Sequence, residues 1–386
     1  MKKLCVFPND PIMAYFEKGE IKERYYNPQN FFAEVHIISF TDDDIDEALV
    51  QTLVGEAKLK IHSVGKISLA NRQKYLESIL LLVKGIKPDV IRAYNPLLEG
   101  WFAAKCANEL AIPFFLSLHT QYDQNRRLVK RKSLKKFLAL KYTEKLIEPF
   151  VLQHAQKITI VYKIIEPYVL KHVKEKPEIL YNKVDCKRFS NSQKIEGLPY
   201  PLIISVGRLI EAKNHQCLIK AMQNLDAHCI IIGNGDYYNE LQNLIKKLDL
   251  EDKIIIEKSV SNKSIQDYYK SAQVFALAYD PELEGIPIPV IEAMATGLPV
   301  VIPFPNNEYS DNLEGTVVFS QRNSESFSNN IGKILLDSQN ARELSEKSLK
   351  KSKEFDSAVI EERETQIYEE LISEKHHKNN LLPKYK

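Results

Sequence analysis

The stretch Asp280–Pro303, DPELEGIPIPVIEAMATGLPVVIP, decides how the chain is read. Its pattern is a loop, a short helix and a turn into a buried strand. Pro287 and Pro289 suit a helix entrance, because a fixed φ and a missing N–H cost little in the first turn. Ile291-Glu292-Ala293-Met294-Ala295 is good helix-forming sequence, and Thr296-Gly297-Leu298-Pro299 ends it with a glycine in the usual C-terminal place and a proline after it. Val300-Val301-Ile302 is a β-branched run of the kind found inside parallel sheets. Two carboxylates mark the stretch, Glu284 in the loop and Glu292 on the helix. A helix entrance offers unpaired N–H groups and a positive dipole end to a phosphate, and carboxylates beside it suit sugar or ribose hydroxyls.

Outward from this segment, 386 residues exceed one ordinary core and predict two domains. An apolar content of 44% and a charged content of 27% are those of a soluble globular chain. Lys and Arg number 29 against 22 Asp and Glu in residues 1–185, and 24 against 29 in the remainder, so a basic half precedes an acidic one. The five cysteines are scattered without metal-ligand or redox spacing, which predicts a reduced, cytoplasmic setting. The start MKKLCVFPND lacks the apolar run of a signal peptide, and no stretch reaches membrane-spanning length.

In the first half, strand signals recur at Lys3–Pro8, Val35–Phe40, Ile61–Val64, Asp89–Ala93, Phe114–Leu118 and Lys157–Val161. Helical periodicity lies between them, as at Asn71–Gly85 and Leu98–Leu110, and Gly19 is expected near a helix start. Alternation of this kind predicts a parallel sheet covered on both faces, with ligands beyond the carboxyl ends of its strands. His119, directly after FFLSL, therefore reads as a substrate contact, with a strand-end hydrogen bond as the alternative. Asp42-Asp43-Asp44 contains an Asp-x-Asp, but a helix start favouring carboxylates accounts for it, and no metal is expected. Residues 126–145 hold nine Lys or Arg against Glu144 alone. The stripe Leu134, Phe137, Leu138, Tyr142 and Leu146 is expected to pack on the core, with a peripheral membrane contact as the alternative. No nucleic-acid recognition motif accompanies the charge.

SNSQKIEGLPYP, 190–201, has linker composition, and Leu202–Val206 restarts the strand pattern. Helix 215–224, strand His228–Ile232, the Gly233-Asn234-Gly235 turn, helix 237–248, strand Lys253–Glu257, helix 264–271 and strand Val274–Ala278 follow. The turn lacks the third glycine and the acidic residue of a dinucleotide fingerprint. Arg208 and Lys213 fall in the first loop beyond a strand end. Two fixed cations there would stabilise a departing diphosphate more in the transition state than in the ground state.

Together, Gly207-Arg208-Leu209 with Lys213, Gly233-x-Gly235, and Glu284-Gly285 through Glu292-Ala293 to Gly297-Leu298-Pro299-Val300 resemble the retaining glycosyltransferases of family 4 (glycosyl transferases group 1). The likeness is dense in the second half and looser in the first, where His119 and Asn182-x-Val184-Asp185 carry it. It implies an α/β GT-B fold, two Rossmann-like domains facing across a cleft. The expected organisation is an acceptor-side domain at 1–185, a linker at 186–200 and a nucleotide-sugar-binding domain at 201–354. A helix at 355–375 crosses back to the first domain, and a tail follows at 376–386.

By the same resemblance Arg208 and Lys213 bind the donor diphosphate, Glu292 the ribose and Glu284 the donor sugar, which His119 faces from the first domain. These make His119, Glu284, Arg208 and Lys213 the catalytic set. Backbone groups near Val260 meet the base, Gly285, Ile286 and Ile288 border the phosphates, and Gly19 lies in a loop that closes near them. Several positions depart from the family pattern. Gly19 lacks the usual adjacent glycine, Lys183 replaces the glycine of Asn-Gly-Val-Asp, and Lys258-Ser259 stands where a glycine is common. Pro289 removes one N–H, leaving Ile286, Ile288 and Val290 as donors. Arg92, Tyr94, Asn95, Asp123 and Arg126 are the acceptor candidates, on loops expected to face the cleft.

The expected activity is metal-independent transfer of a hexosyl-type group from a nucleotide sugar, a UDP- or GDP-sugar, to an acceptor hydroxyl. The anomeric configuration would be retained, the setting would be glycan, polysaccharide or glycolipid synthesis, and no separate cofactor is needed. The acceptor is a glycan or a lipid-linked molecule, and the location is the cytoplasm or the inner face of the membrane. A sugar-nucleotide epimerase of the same fold and a non-catalytic sugar-binding protein are the alternatives.

Overall fold

The alternating pattern folds into two parallel sheets in the computed structural model, which describes residues 1–381 apart from 263 and 306–309, with the side chains of 132 and 376–381 also left aside. Met1–Leu180 together with Glu361–Lys386 form one unit and Tyr181–Ile360 the other. In the first unit the strands are β1 (Lys3–Phe7), β2 (Glu34–Ser39), β3 (Lys58–Ser63), β4 (Val90–Ala93), β5 (Phe114–Leu118), β6 (Lys157–Ile160) and β7 (Glu178–Ile179). In the second they are β8 (Leu202–Val206), β9 (His228–Ile232), β10 (Ile254–Glu257), β11 (Val274–Ala276), β12 (Val300–Pro303) and β13 (Val318–Ser320). The orders are β3-β2-β1-β4-β5-β6-β7 and β10-β9-β8-β11-β12-β13.

Both are Rossmann-like arrangements. Every named pair is parallel, and the central strands are buried except at a terminal residue of β1 and of β8, as runs such as FFLSL and LIISV require when helices cover both faces. The order reverses between β1 and β4 in the first sheet and between β8 and β11 in the second. Loops leaving the carboxyl ends of those four strands therefore flank the position where such sheets bind ligands.

Gly19, the basic stretch and its apolar stripe differ from the sequence expectation, and the acidic run agrees with it. Gly19 lies past the end of helix Ile12–Glu17, not near a helix start, and its φ of +67° is the left-handed conformation that ends helices. Asp44 caps that same helix, accepting from the N–H groups of Ile12 and Met13 at 2.9 and 2.7 Å, so the acidic run does serve a helix start. The basic stretch forms two helices, Tyr122–Lys132 and Leu134–Leu146, because Ser133 is extended between them and its hydroxyl caps the second. The apolar stripe expected to pack on the core is largely exposed there: Leu134, Leu138 and Leu146 are 66%, 59% and 60% accessible.

The final helix runs from Ser357 to Leu381, and from Glu361 onward it belongs to the first unit. Residues 376–381, expected as tail, continue it, and 382–386 lie outside the described residues. Its inner face carries Ile367, Tyr368 and Leu371, all buried, and Tyr368 packs edge-on against Phe32 and Phe115. Among the described residues no helix is long and apolar enough to cross a membrane.

Candidate functional site

The reversal point of the second sheet brings together the residues that the sequence marked in two separate stretches. After β8 the chain turns through Gly207-Arg208-Leu209 and reaches Lys213 in a short 3-10 turn, Glu211–Lys213. After β11 it passes Tyr279 and Asp280 to Glu284. The two loops are tied by the Asp280 N–H to the Ala212 carbonyl at 2.8 Å. Across that tie Lys213 Nζ donates to Glu284 Oε2 at 2.5 Å. Lys213 is 6% exposed, so its ammonium is held away from water with a carboxylate as partner. Arg208 is the opposite case: its side chain is exposed and forms no ion pair among the described residues.

The glycines on this loop permit close backbone packing. A Cβ on Gly233 would stand 1.9 Å from the Gly207 carbonyl oxygen, and one on Gly235 would stand 2.4 Å from that of Leu209. Leu209 donates to Asn234 at 2.8 Å and accepts from Tyr237 at 3.0 Å, so the two loops form one rigid rim. Within that rim His215 is buried and its charged form is disfavoured by desolvation and by neighbouring Lys213, which bring its pKa down to about 4.

The helix of the opening segment spans Ile288–Ala295, with Pro287 before it and Pro289 in its first turn. Val290 N–H, expected to be available to a phosphate, already donates to the Pro287 carbonyl at 2.9 Å. Ile286 and Ile288 N–H retain no partner among the described residues. Glu292 accepts from the hydroxyl of buried Tyr269 at 2.8 Å, and the Tyr279 hydroxyl donates to the Gly285 carbonyl at 2.6 Å. Sequence reasoning did not single out Tyr269 or Tyr279, and no local pattern marks them, since each acts across loops. Val260 lies in the loop after β10, half-buried against the core of this unit.

In the first unit the reversal point is bridged differently. Asn95, beyond β4, donates to Asn9, beyond β1, at 2.8 Å, and to Glu99 at 3.0 Å. Burial raises the Glu99 carboxyl to about 7. His119 follows β5, its ring 5.4 Å from that of Tyr94, and its buried Nε2 has no partner. Desolvation first, then the positive charges of Arg92 and Lys22, bring its pKa to about 3, so it is a neutral imidazole. The Tyr94 hydroxyl is also buried without a partner. Gly19 is exposed on its own loop.

The acceptor candidates do not form the expected set of open loop residues. Arg92 lies inside β4, 4% exposed, donating to Glu364, to the Tyr368 hydroxyl at 2.6 Å and to Ser117 at 3.0 Å. Arg126 is equally buried, held by both oxygens of Glu148 at 2.8 and 2.9 Å and by Asp123 at 2.6 Å. Asp123 also pairs with Lys171. Tyr94 and Asn95 are 3% and 5% exposed. These cations and their carboxylates hold the unit together, because an unpaired charge at such depth would cost several kcal/mol.

Each unit is Rossmann-like, and the second carries cations and carboxylates at its reversal point. Residues 188–351 match the family model described as glycosyl transferases group 1. An uncharacterized glycosyltransferase of Haemophilus influenzae is 27% identical over 64% of this chain and 66% of its own length. The alpha-monoglucosyldiacylglycerol synthase of Streptococcus pneumoniae is 24% identical over 74% of this chain and 68% of its own. These matches span about two thirds of the relatives' lengths. The Anabaena protein HepE, solved in complex with UDP and glucose, superposes with a TM-score of 0.73 over 95% of this chain and 99% of its own at 14% identity. The fold is thus α/β GT-B, and the chain falls in the glycosyltransferase superfamily, among transferase enzymes.

Proposed function

We propose that this chain moves a hexosyl-type group from a UDP- or GDP-sugar to an acceptor hydroxyl with retention at the anomeric carbon. The observation that carries the reading is the Lys213–Glu284 pair at the second reversal point, with Arg208 exposed on the same loop. An arriving diphosphate would take Lys213 and Arg208 as partners and release Glu284 toward the sugar hydroxyls. Ile286 and Ile288 N–H would meet phosphate oxygens at the helix entrance, Glu292 the ribose and the Val260 loop the base. As the sugar–oxygen bond breaks, charge gathers on the leaving phosphate, where the two cations are worth most. In this front-face course the leaving phosphate helps to take the acceptor proton. His119, neutral and with a free buried nitrogen, would hold a sugar hydroxyl from the first unit. Neither metal nor separate cofactor enters the scheme.

Relatives and neighbours support the donor class. HepE was solved with UDP and glucose, and the Streptococcus relative is named as a glycolipid synthase. In this reading the acceptor is a glycan or a lipid-linked molecule, the role is in polysaccharide or glycolipid synthesis, and 126–145 is the segment that would meet a membrane. Thermal shift against UDP-, GDP- and ADP-sugars tests the donor, since a ligand that binds the folded state raises the melting temperature. Stabilisation by none of them removes the reading. Product stereochemistry by NMR tests retention, and an inverted anomer or a trapped glycosyl–enzyme adduct removes the front-face course. Activity that vanishes with chelator and returns with manganese would overturn the metal-independent scheme.

A further inference from the structure

Helix Leu134–Leu146 carries apolar side chains on two faces. Phe137, Leu140, Thr143 and Glu144 turn inward, half-buried or buried. That accounts for the helix's attachment to the unit and leaves a second apolar row unexplained. Leu134, Leu138, Tyr142 and Leu146 recur every four residues and are 66%, 59%, 38% and 60% exposed. At about 100° per residue they form a slowly drifting ridge, roughly 18 Å long. Lys135, Lys141 and Lys145 emerge on the same face, together with it covering about 140° of the circumference. Arg127, Lys130 and Arg131 add exposed positive charge on the preceding helix. Arg72 donates to the Tyr142 hydroxyl at 2.7 Å, fixing that ring at one edge of the ridge.

A solvated face would carry the lysines without the leucines, and a packed face the leucines without the lysines. Interleaved, they fit one kind of partner. Leucines enter an apolar layer while lysine stems lie along it and their ammonium groups remain with negatively charged headgroups. We infer that the ridge Leu134–Leu138–Tyr142–Leu146 inserts into the headgroup boundary of an anionic lipid bilayer, with Lys135, Lys141 and Lys145 pairing to lipid phosphates. This deepens the membrane contact proposed above for 126–145 and rests on it. The helix would lie in the membrane plane.

The test is sedimentation of the full chain with phosphatidylcholine vesicles containing roughly a third phosphatidylglycerol, and with phosphatidylcholine alone. The expected result is binding to the anionic vesicles, with part of it surviving about 0.5 M salt, where exposed charge pairs are screened. A Leu134→Ser, Leu138→Ser, Leu146→Ser variant should lose the salt-resistant part and bind roughly tenfold more weakly at low salt. A Lys135→Gln, Lys141→Gln, Lys145→Gln variant should lose the preference for anionic lipid. Urea midpoints of both variants, whose changed positions are exposed, report that the fold is intact. Failure of the unaltered chain to bind either vesicle overturns the membrane contact itself. Binding that survives the three serine substitutions leaves that contact standing and overturns the insertion of the ridge. Loss of self-association in the serine variant, without vesicle binding by the parent, assigns the ridge to a second copy and overturns the lipid.

Discussion

The two sheets reverse strand order at the same topological place, yet the chemistry installed there differs. Beyond β1 and β4 the bridge is neutral, Asn95 to Asn9, with the buried Glu99 carboxyl beside it, and the arginine of β4, Arg92, is buried against Glu364 and Tyr368. Beyond β8 and β11 the bridge is an ion pair, Lys213 to Glu284, and Arg208 is left exposed beside it. A neutral amide bridge has little to gain from an incoming anion. An ion pair at a loop rim can exchange one carboxylate partner for a phosphate at small net cost, because the lysine remains paired throughout. The two equivalent positions of one fold thus carry different chemistry, a neutral bridge in the first and an ion pair with an exposed arginine beside it in the second.

The largest effect expected from breaking this contrast is on stability, in the first unit. Arg92→Ala should leave Glu364, 4% exposed, without its cation and destabilise the protein by about 3–5 kcal/mol, read as a lowered urea midpoint. Arg126→Ala should behave alike, because Glu148 is completely buried and would retain only the Thr143 and Tyr168 hydroxyls. Either variant keeping parental stability while losing turnover would move these arginines from scaffold to site.

Arg208→Ala should do the reverse. Its exposure predicts a stability change within about 0.5 kcal/mol, while turnover of the nucleotide sugar falls by roughly 10²–10³. The fall should lie in kcat, since the charge it meets grows in the transition state. A change confined to KM would reduce Arg208 to an ordinary anchor for the donor.

Much of this contrast was legible in the sequence, and what was not has a common cause. Apolar runs marked most strands, and Arg208, Lys213 and Glu284 stood out in loops beyond strands, with Glu292 on the short helix that follows. The partners that decide what a cation does lie far away along the chain. Glu364 is 272 residues from Arg92, and Glu148 is 22 from Arg126 across a helix break. Position at a strand end therefore could not separate a buried structural arginine from an available one. Strands β7 and β13, of two and three residues, are too short for alternation to reveal them. The ridge on Leu134–Leu146 was visible as a stripe, but the sequence could not say which of two apolar faces the core would take.

A subtler prediction concerns the exchange at Glu284. Glu284→Gln should weaken turnover of the sugar donor, whose hydroxyls the carboxylate would hold. It should nevertheless bind the nucleoside diphosphate alone roughly two- to tenfold more tightly, because the competing anion on Lys213 is gone. Calorimetry with UDP or GDP measures this directly. Weaker binding of the diphosphate as well would mean that the ion pair orders the loop rather than competing with the ligand.

The last prediction is a pH dependence shared by both units. His119 and His215 are held neutral, with pKa values brought down to about 3 and about 4 by burial and by the adjacent cations Arg92 and Lys213. An unfolded histidine titrates near 6.5. Between that value and the depressed ones the unfolded chain binds more protons than the folded chain, so stability must fall as pH is lowered from about 6.5. Each histidine adds a slope approaching about 1.4 kcal/mol per pH unit in that window, and the dependence ends below the folded pKa. His215→Gln should remove its share between about pH 6 and 4, leaving the His119 share, which continues to about pH 3. Urea midpoints measured across this range separate the two. Slopes identical in the variant and the parent would show that Lys213 and burial do not hold His215 neutral.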